Sequence, residues 1–185
     1  DFAVEHKDDR SPLTEADKRS HAVIARGLAD TGLPLLSEEG RNIEYDERKK
    51  WNTFWLVDPL DGTKEFVKRN GEFTVNIALI HGQTPVIGVI YVPVTGVLYF
   101  AAGGSGAYRT TLDKTAGFDF DTIAANAQRL PCVCNRSGFA AVASRSHMSP
   151  ETQDFVDRLR LVHGDVAIVS RGSSLKLCMV AEGSA

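Results

Sequence analysis

The chain lacks the compositional extremes that would assign it to a special class. It has 3 cysteines in 185 residues, an odd number in a chain long enough to bury a core without covalent staples. A disulfide framework is therefore not expected, and a reducing compartment such as the cytoplasm fits. Cys132-Val133-Cys134 has no second Cys/His pair at zinc-site spacing and reads as free thiols in or near a strand. Long hydrophobic runs are missing too. The longest apolar stretches, Val86 to Val94 and Phe139 to Ala143, fall far short of the ~20 residues a helix needs to cross a bilayer. An integral membrane protein is excluded, which leaves at most peripheral attachment at the inner membrane. Nor is there an excess of positive charge: 21 Lys+Arg against 24 Asp+Glu give a net charge of -3 and a pI near 6.0. A nucleic-acid polymer as partner is thereby disfavoured. Asp1-Phe2-Ala3-Val4-Glu5 has neither an initiator Met nor a basic-then-apolar leader, and reads as a start inside a longer protein. What remains is 43% hydrophobic and 24% charged, the range of globular domains and not of disorder, collagen or coiled coil.

Periodicity and turn chemistry lay out two lobes. Thr14 lies three residues before Asp17, and His21, Ile24, Ala25 and Leu28 follow at helical spacing with Gly32 as a stop, which predicts a helix over about 15 to 30. Leu33-Pro34-Leu35-Leu36-Ser37 reads as a short strand delivering Glu38 and Glu39 at its tip. Phe54 to Val57 reads as a buried strand stopped by Asp58-Pro59, with a short helix permitted over Gly62 to Lys68. Phe73 to Ile80, Val86 to Tyr91 and Gly96 to Phe100 read as an antiparallel meander. Gly103 to Gln128 has weak periodicity and reads as an exposed connection holding the lobe boundary, near residue 125. Beyond it, Phe139 to Ala143 and Val166 to Ser170 read as strands. Ser149 to Leu161, opened by Ser149-Pro150, and Ser174 to Ala181 read as helices. That alternation predicts an α/β second lobe with partly parallel strands. Trp51, Trp55 and the phenylalanines are assigned to the core.

The chemistry concentrates in Trp55-Leu56-Val57-Asp58-Pro59-Leu60-Asp61-Gly62-Thr63. A hydrophobic strand ends at one carboxylate and a rigid turn follows. A second carboxylate comes three positions on, and then a glycine and a hydroxyl open a helix. Asp58, Asp61 and the Leu60 carbonyl are oxygen donors for a hard cation, magnesium before zinc, and the helix start at Gly62-Thr63 favours a phosphate. Asp-Pro and Asp-Gly are each ordinary turn dipeptides. Together with Glu38-Glu39 on a neighbouring element they form a cluster of like charges that a bound cation would relieve.

These residues, with Ser37-Glu38-Glu39 and Ser11-Pro12-Leu13-Thr14-Glu15-Ala16-Asp17 upstream, resemble the inositol monophosphatase superfamily of magnesium-dependent, lithium-sensitive phosphatases. All three motifs stand in family order. Lys64 to Leu79 and Gly172-Ser173-Ser174-Leu175-Lys176 resemble its bacterial 3'(2'),5'-bisphosphate nucleotidase branch. The resemblance implies a layered αβαβα sandwich, with an α+β lobe over 1–125 and a partial α/β lobe over 126–185. It implies two or more Mg2+ ions on Glu38, Asp58, the Leu60 carbonyl and Asp61. Asp17 and Thr63 would be catalytic, activating the attacking water. Glu38, Asp61, Gly62, Thr63, Ser173 and Lys176 would contact substrate. The implied substrate is a small nucleotide bisphosphate, adenosine 3',5'-bisphosphate, with the related phosphoadenylyl sulfate as a second option. Hydrolysis would clear a by-product of sulfate assimilation, and the family's frequent homodimers are a further expectation. Rival readings are a phosphatase of inositol or other sugar phosphates and a non-catalytic metal-dependent nucleotide-binding protein.

Several residues carry plainer readings alongside. Thr14-x-x-Asp17 is also a helix-capping pattern, Ser173 and Lys176 also fit a capped helix with an exposed lysine, and Glu39 also fits a solvated acid. Lys64, Lys68 and Arg69 read as a solvated helix face, and His147 is placed near the cleft. The family's further metal-ligand aspartate, in a Trp-Asp-x-Ala-Ala-Gly-like helix start after the equivalent of Ala181-Glu182-Gly183, is not in this sequence. Neither is its N-terminal helix, which implies a trimmed chain.

Overall fold

A computed structural model of the chain describes residues 4–6, 12–113, 115, 117–132, 138–144 and 149–185. His147 and Cys134 fall outside them, as does the side chain of Thr14, so the capping role of Thr14 and the place of His147 stay sequence expectations.

β1 (Val4–His6) and β2 (Pro12–Thr14) form a small antiparallel pair. α1 (Glu15–Leu28) follows, with Glu15 and Asp17 in its first turn and Arg26 in its last, each charge set against the favourable end of the helix dipole. It gives way to a 3-10 turn at Ala29–Thr31, closed by Gly32 at φ 65°, where only glycine is unstrained. β3 (Leu35–Ser37), the short α2 (Tyr45–Arg48), β4 (Thr53–Asp61) and α3 (Thr63–Val67) come next.

The sequence expectation that the strand stops at Asp58 is corrected. β4 continues through Pro59 because three steps from Asp58 to Asp61 stand opposite two steps from Asn76 to Thr74 on β5 (Thr74–His81). The extra residue makes a bulge in which proline owes the ladder no hydrogen bond. The meander continues as expected through β6 (Thr84–Val92) and β7 (Val97–Ala102). It does not end there. β8 (Gly106–Thr111) pairs along all of β7, so Gly103 to Gln128 is not simply an exposed connection. Tyr108 lies opposite Phe100 and stacks on it at 5.6 Å, a cross-strand pair of the kind that holds sheets together. α4 (Phe120–Ala125), capped by Asp119, and β9 (Gln128–Arg129) complete a seven-stranded sheet of order β3-β4-β5-β6-β7-β8-β9.

The remaining elements build a second unit. β10 (Phe139–Ser144) and β11 (Val166–Arg171) are parallel, joined through α5 (Pro150–His163), and α6 (Leu175–Glu182) follows. This is the α/β alternation the sequence predicts. Ser149 caps α5 by accepting from the Thr152 N–H at 3.3 Å, with Pro150 in the first turn where its missing N–H is not needed. Val57, Leu60, Val92, Val156, Val166 and Cys178 are buried. The assignment of Trp51, Trp55 and the phenylalanines to the core is corrected: Trp51 and Trp55 are half-buried, and Phe118, Phe120, Phe139 and Phe155 are exposed. Cys132 and Cys178 are free thiols, and no helix among the described residues is long and apolar enough to cross a membrane.

Candidate active site

Parallel pairing of β3 with β4 places Ser37 opposite Val57. The Glu38 N–H then donates to the Val57 carbonyl at 3.0 Å, which carries the pairing one residue on and brings Glu38 beside Asp58. Asp58 feels both its burial and its neighbours. Burial first, then the Glu38 and Asp61 carboxylates, push its carboxyl up to about 7 from 3.8, against the pull of the Leu60 N–H, which donates to Asp58 Oδ1 at 3.1 Å. Leu60 thus closes a tight turn with its side chain buried. Two tethers hold the strand tip to α1: Ser20 Oγ donates to the Pro59 carbonyl, and His21 Nδ1 bonds Ser37 Oγ, each at 2.8 Å.

The bulge gives Asp61 a different surrounding from Asp58. Its Oδ2 accepts from the Ser174 backbone N–H at 2.6 Å and from Asn76 Nδ2 at 3.4 Å, with Thr74 Oγ1 3.5 Å away. Glu38, Asp58 and Asp61 therefore interact electrostatically. Even so, no group of three or more His, Cys, Asp or Glu among the described residues is arranged as a ready metal cage.

Asp17 and Thr63, 46 residues apart in sequence, are brought together: Thr63 Oγ1 donates to Asp17 Oδ1 at 3.4 Å, and Asp17 is only 1% exposed. Burial of an aspartate in the first turn of a helix is costly without such a donor. Gly62, at φ 94°, precedes α3. A Cβ there would stand 3.2 Å from Ser173 Cβ and 3.3 Å from the Glu72 carbonyl, so the turn before α6 abuts this loop.

Ser173 and Lys176 are both half-buried. Ser173 adopts φ 49°, and Lys176 Nζ folds back to donate to its carbonyl at 2.7 Å. Glu38 is exposed and Glu39 half-buried, and Lys64, Lys68 and Arg69 lie on an exposed face. Thr74, Asn76, Ser174 and Glu72 are the residues sequence reasoning missed. Their signal was faint: Thr74 and Asn76 alternate with Val75 and Ile77, two polar side chains sharing one face of an otherwise apolar strand. An open groove of about 880 Å³ starts at Glu38 and Asp58, passes Asn76 and Ser174, and runs along the sheet to Tyr99 and Tyr108.

The whole chain, residues 1–185, matches the sequence model of the inositol monophosphatase family. It is 45% identical over 181 residues to the 3'(2'),5'-bisphosphate nucleotidase CysQ of Salmonella typhimurium, a match that covers 97% of this chain and 66% of that one. Among solved structures, CysQ from Bacteroides thetaiotaomicron superposes with a TM-score of 0.86 at 50% identity, covering 97% of this chain and 67% of that one. The extragenic suppressor protein suhB of Bartonella henselae superposes at 0.71 with 25% identity, covering 100% and 66%. The chain thus spans about two thirds of the length of these relatives, and the layered α/β fold expected from the motifs is the one found.

Proposed function

This chain belongs to the inositol monophosphatase family, and from that premise we propose that it carries the metal- and phosphate-binding part of a phosphomonoesterase. Its substrate is adenosine 3',5'-bisphosphate, from which it removes the 3'-phosphate to leave AMP. The observation that carries the reading is one convergence: the Glu38, Asp58 and Asp61 carboxylates interact near the end of β4, beside the buried Asp17–Thr63 pair and against the Gly172–Ser173 turn. The 45% identity to a bisphosphate nucleotidase supports the nucleotide over a polyol.

The donor set fits a hard divalent cation. Glu38, Asp58, the Leu60 carbonyl and Asp61 offer only oxygens, and of what raises Asp58, burial first and then the Glu38 and Asp61 carboxylates, the second is repulsion that a cation removes. Two or more Mg2+ ions held there would neutralise the phosphoryl group and lower the pKa of water. The protein's own groups do the rest. Thr63 Oγ1 donates to Asp17, which leaves its lone pairs to orient an attacking water; as the water gives its proton to Thr63 Oγ1, the Thr63 proton passes to buried Asp17, the general base. Gly62 and Thr63 hold phosphate oxygens at the start of α3, and Ser173 and Lys176 contact the nucleotide beyond the scissile bond. The division into lobes at about residue 125, cytoplasmic location and homodimeric assembly belong to the same reading.

Phosphate release with Mg2+ from adenosine 3',5'-bisphosphate and from inositol 1-phosphate, with and without Li+, tests it. The nucleotide is expected to be preferred, with inhibition by Li+. Asp61→Asn is expected to lower turnover by more than the ~10–100-fold typical of an outer-shell partner. Full activity in that variant would remove the metal assignment, and preference for inositol 1-phosphate would move the protein to another branch of the family.

A further inference from the structure

The turn between β11 and α6 is fastened to the first lobe by more than packing. The Gly172 N–H donates to Glu72 Oε2 at 2.9 Å and the Ser174 N–H to Asp61 Oδ2 at 2.6 Å. The Ser174 hydroxyl donates to Asn76 Oδ1 at 2.9 Å and lies 2.7 Å from Thr74 Oγ1. A hydroxyl has one proton. With the Ser174 proton on Asn76, Thr74 must donate to Ser174, which fixes a direction: Thr74 to Ser174 to Asn76, and from Asn76 Nδ2 on to Asp61 Oδ2 at 3.4 Å. Ser174 therefore reaches Asp61 by two routes, directly through its backbone and indirectly through Asn76. Thr74 has no exposure at all, so its hydroxyl is costly to leave unpaired, while Asp61, Asn76 and Ser174 are half-buried and the last two face the groove. With its one proton on Ser174, Thr74 Oγ1 lies 3.5 Å from Asp61 Oδ2 without donating to it, and the two hydrogen bonds that then reach the Asp61 carboxylate from the described residues, from the Ser174 N–H and from Asn76 Nδ2, both fall on Oδ2.

We propose that Ser174 is a positioning residue. It locks Asp61 through Oδ2, reserving the other oxygen for an external cation. It also sets Ser173 and Lys176 at one distance from the acidic cluster. The inference rests on the phosphatase reading above.

The test compares wild type, Ser174→Ala and Ser174→Thr on two esters, adenosine 3',5'-bisphosphate and p-nitrophenyl phosphate, which has no second anion. A displacement of even 1 Å at a reacting centre costs up to ~100-fold. Ser174→Ala is expected to lose ~10–100-fold in kcat/KM on the bisphosphate, mostly in kcat, and several-fold less on the simple ester, and Ser174→Thr, which keeps the hydroxyl, to recover most of the difference. No loss on either ester overturns the positioning role, and an equal loss on both overturns its part in placing Ser173 and Lys176. Failure of the functional reading shows separately, as a wild-type protein that releases phosphate from neither ester. Calorimetric titration with Mg2+ alone then decides the positioning: weaker binding in Ser174→Ala upholds it, and equal binding overturns it.

Discussion

At the scale of single residues, Asp58 shows how the site trades a proton against a cation. Its carboxyl titrates near 7 in the folded chain against 3.8 ordinarily, chiefly through burial and then through Glu38 and Asp61. In the metal-free protein the folded state therefore keeps a proton that the unfolded chain gives up near pH 4. The stability this contributes is full below about pH 4 and is lost as pH rises through about 7. In EDTA the melting temperature is expected to be higher at pH 5 than at pH 8. Addition of Mg2+ should restore the pH 8 sample, because a cation takes the place of the proton. Asp58→Asn, which has no proton to lose, should flatten the dependence in EDTA. A metal-free protein equally stable at the two pH values would mean that the three carboxylates are not crowded in solution. Burial acts alike on Cys178, whose thiol is pushed up to about 11 with Glu182 adding to the shift, and it stays a neutral core group.

At the scale of elements, the contact between lobes depends on the absence of one side chain. A Cβ on Gly172 would stand 2.7 Å from Glu65 Cγ and 2.9 Å from the Glu72 carbonyl oxygen. Glu65 can swing aside, but the backbone oxygen cannot, so Gly172→Ala must push the turn away from β5. We expect a loss of ~1–3 kcal/mol, as for other overpacking substitutions, read from the urea midpoint, and a fall in activity larger than that from Lys176→Ala. An unchanged midpoint would mean that the turn is not docked. This turn also marks where the sequence stopped being legible. α5 announces itself through Ser149-Pro150 and a periodic apolar face, and the acids of β4 through a compact run, because each signal is local. β8 carries only Gly-Ala-Tyr-Arg-Thr-Thr, and what makes it a strand is Phe100 on another strand. Pro59 ends a strand by the local rule, and the bulge opposite β5 overrides that rule. The same limit applies to the site. Asp58, Asp61 and Thr63 stand within six residues and were read together, whereas Thr74 and Ser174 meet across a separation of 100 residues and offered no joint pattern.

At the scale of the whole molecule, α6 bridges the two units and is held at both ends. Its start is tied to Asp61, Thr74 and Asn76, and its last residue, Glu182, accepts from the Tyr99 hydroxyl of β7 at 2.6 Å. Arg109 of β8 brings its Nε to 2.8 Å from the same carboxylate oxygen, near in distance but without the alignment of a hydrogen bond. Burial and the Glu182 contact push the Tyr99 hydroxyl well above its ordinary range, so it remains a donor at every working pH. The aligned bond from Tyr99 should therefore hold this end more firmly than the ion pair. The two contributions separate by substitution. Glu182→Ala removes both and is expected to cost ~1–3 kcal/mol, the range for hydrogen bonds to charged groups plus the penalty of a stranded donor. Glu182→Gln keeps a carbonyl for Tyr99 and gives up only the charge facing Arg109, so it should retain more than half of that stability in urea denaturation. If Gln were as damaging as Ala, the charge pair would be the tether, and the cost would fall with added salt as exposed pairs do. If neither variant moved the midpoint, the far end of α6 would be unfastened, and the turn bearing Ser173 and Ser174 would depend for its place on the contacts at Asp61, Glu72, Thr74 and Asn76.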